Sequence, residues 1–231
     1  MLIFKKWFNE FEAPFSSTEE WENNTLDKII TFTNGFAFKS KDLLPYEEDN
    51  CYKVFKQGHI RSGGGFNNNA TKSWYPKKSS SNLKKFILKK GDILMAMTDM
   101  KDKVAILGNT SIMPVTNEFI LNQRVGLIRS NGYKSITYPY IYLLTNNKTF
   151  LNNLRIRANR GVQVNLSSKE IKKSKILIPP ENLNILFSKI TLPVFEKIFI
   201  NYSENEKLIK IKKLLLPKLL SGEIDVSQIE L

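Results

Sequence analysis

One cysteine and one histidine in 231 residues leave little material for thiol or metal chemistry. A disulfide framework or a Cys/His zinc site needs several ligands, so Cys51 reads as a reduced thiol in a cytoplasmic protein. No apolar run approaches the about 18 residues of a membrane span, so no membrane partner is expected. Met1 to Glu10 carries two lysines but neither a long apolar core nor a small-residue cleavage site, and is not a secretory signal. The phosphate loop G-x-x-x-x-G-K-[ST] is missing, as is a G-x-G-x-x-G after a strand. Its nearest imitation, Arg61-Ser62-Gly63-Gly64-Gly65-Phe66, has no strong strand and helix beside it and reads as a mobile loop. No second histidine is present for a catalytic triad.

Acid is scarce in two long stretches. Cys51 to Gly91 holds ten basic residues, and Phe119 to Lys169 holds eight, with no Asp or Glu in either. The remainder is net acidic, so the overall +13, from 35 Lys and Arg against 22 Asp and Glu, is regional. Two such blocks in one domain point to a one-sign face and a polyanionic partner. The hydrophobic share of 42% is enough to close a core.

Between Trp21 and Pro180 the pattern is of short apolar-rich strands: Leu26 to Phe32, Tyr52 to Phe55, Lys85 to Leu88, Asp92 to Met97, Val104 to Leu107 and Arg124 to Ile128. Pro139 to Asn153 has helical spacing. The fold class is α+β, with a mixed-sheet domain over 21–180. Residues 1–20 read as a helical remnant and a linker ending in Ser16, Ser17 and Thr18. Pro179-Pro180 closes the domain, and Glu181 and Asn182 open a long helical region over 181–222, with 223–231 as a tail. There Leu183, Phe187, Ile190, Val194, Ile198, Leu208, Ile211, Leu215 and Leu219 recur at spacings of three and four as one apolar stripe. About 40 helical residues would be roughly 60 Å long, so the stripe needs a second helix, as in an antiparallel coiled coil, the alternative being two ordinary helices packed on the same domain. Pro193 is expected to kink the helix or mark a second start capped by Thr191. Gly222 suits a stop.

Base edges are read by Arg and Lys on guanine, Asn and Gln on adenine, and small apolar groups on the thymine methyl. Three segments have that composition: His59 to Lys78, Asn122-Gln123-Arg124, and Arg155 to Gln163. Lys39, Lys56, Arg61, Lys72, Lys77 and Lys78 are candidates for phosphate contact. His59, Asn122, Gln123, Arg124, Asn159, Arg160 and Gln163 are candidates near bases, with a turn cap the alternative role for His59. A different class stays open, a metal-dependent enzyme processing nucleic acid alone with Asp92, Asp99 and Asp102 as ligands.

Several segments resemble the specificity subunit of type I restriction-modification systems. Trp21 with Leu26-Asp27-Lys28-Ile29, then Gly35-Phe36-Ala37-Phe38-Lys39-Ser40, is similar to the opening of that family's target recognition domain. Gly91-Asp92-Ile93-Leu94 looks like its central strand motif. Asn122-Gln123-Arg124, Arg160-Gly161-Val162-Gln163-Val164-Asn165-Leu166 and Ile176-Leu177-Ile178-Pro179-Pro180 look like its closing half. The stretch from Glu204 through Leu214-Leu215-Leu216-Pro217-Lys218-Leu219-Leu220-Ser221-Gly222-Glu223-Ile224 is similar to the distal conserved region. Glu181-Asn182 stands where the family has Glu-Gln. Phe4 to Glu12 looks like the end of a central spacer, so the resemblance is to a C-terminal half: a half-subunit, a truncated product or a silent cassette product.

The resemblance implies a non-catalytic, DNA-recognising chain that needs no cofactor of its own. Partner methyltransferase subunits would use S-adenosylmethionine to methylate adenine, and restriction subunits would use ATP and magnesium. With one recognition domain and one helix, the expected assembly is a two-fold homodimer reading an inverted repeat.

Overall fold

The computed structural model describes residues 2–10, 12–13, 20–100, 104–160 and 163–224. The linker reading at Ser16, Ser17 and Thr18, Asp102, the Gly161-Val162 step and the tail beyond residue 224 fall outside them.

A short helix, α1 (Leu2–Phe4), runs into a π-helical turn, Lys5–Asn9. Strands β1 (Glu22–Thr25), β2 (Ile30–Asn34), β3 (Cys51–Phe55), β4 (Trp74–Pro76), β5 (Ile93–Ala96), β6 (Thr98–Met100), β7 (Thr110–Ile112), β8 (Phe119–Leu121) and β9 (Val125–Ser130) follow. Helices α2 (Tyr138–Thr145) and α3 (Lys148–Ile156) lead to the hairpin β10 (Asn159–Arg160) and β11 (Gln163–Asn165). The chain then forms α4 (Ser168–Lys172), β12 (Lys175–Ile178) and α5 (Glu181–Leu220). The fold is α+β, with mixed sheets and a long C-terminal helix.

The central sheet has the order β2-β9-β5-β7, antiparallel throughout. Because successive strand residues point to opposite faces, β5 feeds two cores. Ile93 and Met95 join Leu26, Ile128, Tyr140 and Leu154 on one side. Leu94 and Ala96 join Phe55, Ile120 and Leu127 on the other. A second sheet, β4-β3-β8, pairs β3 and β8 in parallel. A third, β10-β11-β6, and the two-stranded ladder β1-β12 are antiparallel. Asp92, at the head of β5 and almost fully buried, accepts hydrogen bonds from Arg129 Nε (2.6 Å) and Nη2 (2.7 Å) and from the Lys89 backbone (2.8 Å).

Some expected strands are absent. Leu26–Lys28 is a 3₁₀ turn, so the strand expected over Leu26 to Phe32 begins only at Ile30, as β2, and Lys77–Phe86 is 3₁₀ helix where a strand over Lys85 to Leu88 was expected. Val104 to Leu107 is a bend, because Asp99 takes the amides of Ile106 (2.6 Å) and Leu107 (3.0 Å) that a ladder would have used.

The helix α5 is continuous over 40 residues despite Pro193. Pro193 is exposed, so the carbonyl deprived of its N–H partner can turn to water. Thr191 caps nothing: it is buried, and its hydroxyl donates to the Phe187 carbonyl one turn back (2.8 Å). The apolar stripe divides. Leu183 and Phe187 are covered within their own chain, where Phe4, Trp7 and Phe8 pack at ring-centroid distances of 4.9 to 6.1 Å from Phe187. They are therefore removed from the expected dimer face. Phe195 and Phe199 turn toward Tyr138 and Tyr142. Ile190, Val194, Ile198, Leu208, Ile211, Leu215 and Leu219 stay 41 to 55% exposed. The helix ends before Gly222, whose φ of +74° few other residues adopt.

Candidate nucleic-acid interface

Three turns, far apart in sequence and lying in or beside the three candidate segments, meet around β6. Its residue Thr98 is clamped by Gln57, whose amide donates to the Thr98 carbonyl (2.5 Å) and accepts from its hydroxyl (2.6 Å). The preceding residue, Met97, donates to the Arg124 carbonyl (3.0 Å) and accepts from the Leu166 amide (2.8 Å). On the other edge β6 pairs with β11, setting Gln163 opposite Met100. The Gln57–Arg61 turn, the Asn122–Arg124 turn and the β10-β11 hairpin are thus hydrogen-bonded to one short strand or to the residue before it.

The Asn122–Arg124 turn is seated on the segment Gly35-Phe36. Gly35 donates to the Val125 carbonyl (3.0 Å), Phe36 to Leu121 (3.2 Å), and Gln123 to Phe36 (2.7 Å). A Cβ on Gly35 would lie 1.9 Å from the Asn122 carbonyl oxygen, so only glycine permits this approach. Arg124 is exposed and held at φ +67°, a left-handed conformation that costs a non-glycine residue about 1–2 kcal/mol and collects at binding sites. From this turn an aromatic path leads outward: Phe36 against Phe38 (4.9 Å), and Phe38 against Tyr75 (4.6 Å). Lys39 follows Phe38 directly, and Lys77 and Lys78 come just after Tyr75; all three are exposed. Lys77 lies 5.1 Å from the Tyr52 ring centroid.

The acid-free blocks are not acid-free in space. Asp92 holds Arg129, Glu196 holds Lys90 at 2.7 Å, and Glu22 lies 3.4 Å from Lys134. Arg155 is spent on the Leu107 carbonyl and the Asn109 side chain, and Arg157 on Ser174 (2.7 Å). Lys56 is half-buried and donates to the Ser73 hydroxyl, which draws it in from the surface. Among the described residues no carboxylate pairs with Lys39, Arg61, Lys72, Lys77, Lys78 or Arg124, and all six are exposed. Gln123 and Asn159 are exposed, and Asn122 and Gln163 are half-buried. Only the backbone of Arg160 is described, in β10.

His59 is a correction. It is 2% exposed, stacks on Phe66 (interplanar angle 14°) and packs against Phe55 and Phe119. Its Nδ1 lies 3.1 Å from both the backbone nitrogen and the carbonyl oxygen of Lys56, and burial pushes the imidazole down to about 4. A neutral, enclosed ring reaches neither phosphate nor base; it shapes the loop that carries Arg61. That loop is docked. Gly65 donates to the Thr110 carbonyl (3.0 Å), and Gly64, at φ +95°, leaves no room for a Cβ beside Asn146. Phe66, next in line, meets Tyr202 of α5 edge to face.

Two of the three acids of the metal reading are engaged within the chain, and the third, Asp102, lies outside the described residues. The Asp92 carboxylate is taken up by Arg129 and Lys89, and Asp99 is occupied by the Met100, Ile106 and Leu107 amides. Sequence reasoning missed the positioning residues Gln57, Thr98 and Asp99. The one available signal, Phe36-Ala37-Phe38 flanked by glycine and lysine, marks the seat of the Asn122–Arg124 turn.

The domain described as the type I restriction modification DNA specificity domain matches residues 18–212. The chain belongs to this family. Over 104 residues it is 32% identical to the type I restriction enzyme HindI specificity subunit of Haemophilus influenzae, covering 45% of this chain and 22% of that protein. The type I restriction enzyme MjaIX specificity subunit of Methanocaldococcus jannaschii is 25% identical over 246 residues, covering 98% of this chain and 52% of that protein. In architecture the specificity chain is similar to the crystal structure of a type I restriction-modification S subunit from M. genitalium, with a TM-score of 0.54 at 15% identity, covering 90% of this chain and 48% of that one. It therefore spans about half the length of that solved relative and of the MjaIX subunit, and matches 22% of the HindI subunit. Among its described residues no helix is long and apolar enough to cross a membrane.

Proposed function

We propose that this specificity chain recognises a defined sequence in double-stranded DNA and carries no catalytic centre of its own. The observation that carries the reading is the meeting of three cation- and amide-bearing turns around β6, with Arg61 and Arg124 exposed and paired with no carboxylate among the described residues, and with the Asn122–Arg124 turn locked by Gly35. Lys39, Arg61, Lys72, Lys77 and Lys78 would contact phosphates and fix register. Gln123 and Arg124, with Asn122, Asn159, Arg160 and Gln163, would face base edges, where Arg suits guanine and the amides suit adenine. Bound DNA would be presented to methyltransferase subunits for adenine methylation and to restriction subunits for cleavage, with S-adenosylmethionine, ATP and magnesium held by those partners. The exposed stripe of α5 would join two copies, so that two identical lobes read an inverted repeat.

Selection of bound duplexes from a random pool tests the reading. One enriched sequence with two-fold symmetry is expected, with affinity falling steeply as salt rises. R124A should relax one base position, whereas K77A should weaken all duplexes alike and lower the salt slope by about one. Equal binding to every duplex would refute specific recognition. Copurification with the methyltransferase subunit and mapping of methylated adenines test the partner assignment.

A further inference from the structure

The sheet β10-β11-β6 turns an uncharged face outward. Because side chains alternate along a strand and partners across a ladder share a side, Thr98 and Met100 of β6 stand with Gln163 and Asn165 of β11 and with Asn159 of β10. The opposite face is closed: Val164 is buried, and the Asp99 carboxylate accepts the Ile106 and Leu107 amides. In a chain of which 25% is charged, the outward set holds three amides, a hydroxyl and a thioether, and no charge among the described residues. Cations adjoin it instead. Met97, just before β6, donates to the Arg124 carbonyl (3.0 Å), and Ala105, beyond it, accepts from the hydroxyl of Ser62, the neighbour of Arg61 (3.2 Å). A neutral centre between cations that no carboxylate holds suits base edges between two phosphate backbones.

Within this face Gln163 and Met100 are direct cross-strand partners, a relation that sets Cβ atoms about 5 Å apart. Thr98 is committed to Gln57, and Asn165 donates to the Gln163 carbonyl (3.1 Å), whereas the Gln163 amide group and the Met100 side chain have no partner among the described residues. Met100 is 64% exposed, an apolar side chain in polar surroundings. In the major groove an A·T pair presents adenine N6 and N7 on the same edge as the thymine C5 methyl, and the groove, about 12 Å wide, admits a two-stranded ribbon such as β11-β6. An amide matches the adenine as donor and acceptor. A flexible, polarisable thioether matches the methyl.

We propose that Met100 is a specificity-determining residue and that it reads one A·T pair together with Gln163, Gln163 on the adenine and Met100 on the thymine methyl. The assignment rests on the DNA-recognition reading above and adds to it a residue and the identity of one base pair.

Deoxyuridine, which lacks only the C5 methyl of thymidine, provides the test. Once a bound sequence has been selected, each thymine is replaced by it in turn and the affinity of the full chain is measured. At one position the wild-type affinity should fall about fourfold, the worth of a buried methyl group. M100A should bind the thymine and deoxyuridine duplexes equally at that position, and M100L should keep the preference for thymine. Q163A should relax the A·T preference at the same base pair. Since Met100 is exposed, M100A should melt with wild type. A selected sequence with no methyl-sensitive position, a sensitivity that M100A retains, or a Q163A effect at a different base pair overturns the assignment and leaves sequence recognition standing. If no sequence is enriched, both fall.

Discussion

Replacing Gly35 by alanine probes what holds the Asn122–Arg124 turn in place. The added methyl would stand 1.9 Å from the Asn122 carbonyl oxygen and 2.4 Å from its carbon, both backbone atoms that no rotamer change can move. Relief requires the Asn122–Arg124 turn to retreat by more than about 1 Å. That stretches the bonds from Gln123 to Phe36 (2.7 Å) and from Phe36 to Leu121 (3.2 Å). Overpacking costs about 1–3 kcal/mol and each weakened hydrogen bond about 1 kcal/mol, giving about 3–5 kcal/mol in total. For a domain of this size the melting temperature should fall by about 10 °C. Gly58 supplies the control: its Cβ would sit 3.6 Å from the Ala70 Cβ, an ordinary contact, so G58A should stay within about 1 kcal/mol of wild type. Urea unfolding followed by the fluorescence of the three tryptophans measures both. A G35A midpoint equal to wild type, or an equal loss in G58A, would refute the close-approach argument.

The single histidine gives one imidazole signal for titration by NMR. His59 should stay neutral down to about pH 4, and a midpoint near 6.5 would show that it is not enclosed. Since its folded value lies below the unfolded one, stability should be full above about pH 6.5, decline as pH falls, and level off below about 4, a loss of about 3 kcal/mol. D92N should cost about 3–5 kcal/mol by stranding Arg129, whereas D92L/R129M should recover most of that; equal losses in urea unfolding would contradict a buried pair. R124A should lower DNA affinity by about 1–3 kcal/mol with stability within about 0.5 kcal/mol of wild type. R155A should do the reverse, because its guanidinium is spent on Leu107 and Asn109, and matched affinity losses in a binding titration would erase that distinction.

Local signals were legible where local physics decides. Glu181 after Pro179-Pro180 starts α5 and Gly222 follows its end, because helix termini depend on a few adjacent residues. The buried strands β5 and β9 lie inside the apolar runs at Asp92 to Met97 and Arg124 to Ile128, with β9 running on to Ser130. What required the tertiary fold stayed hidden. Arg129 looks like any surface cation until Asp92, on a neighbouring strand, is brought to it, and Lys90 meets Glu196 only across α5. His59 sits in a polar-looking segment, yet Phe55, Phe66 and Phe119 close around it. The division of the α5 stripe depended on where Phe4, Trp7 and Phe8 would land, which periodicity in α5 alone cannot tell.

The ladder between β1 and β12 ties the lobe's first strand to its last, Glu22 opposite Ile178 and Thr25 opposite Lys175. Arg61, Lys77 and Arg124 are all strung between those two strands, like a cartridge held by a single bayonet mount. On the proposed function, the edge they form could be rewritten residue by residue while the ladder that fastens the lobe beside α5 keeps its dimensions.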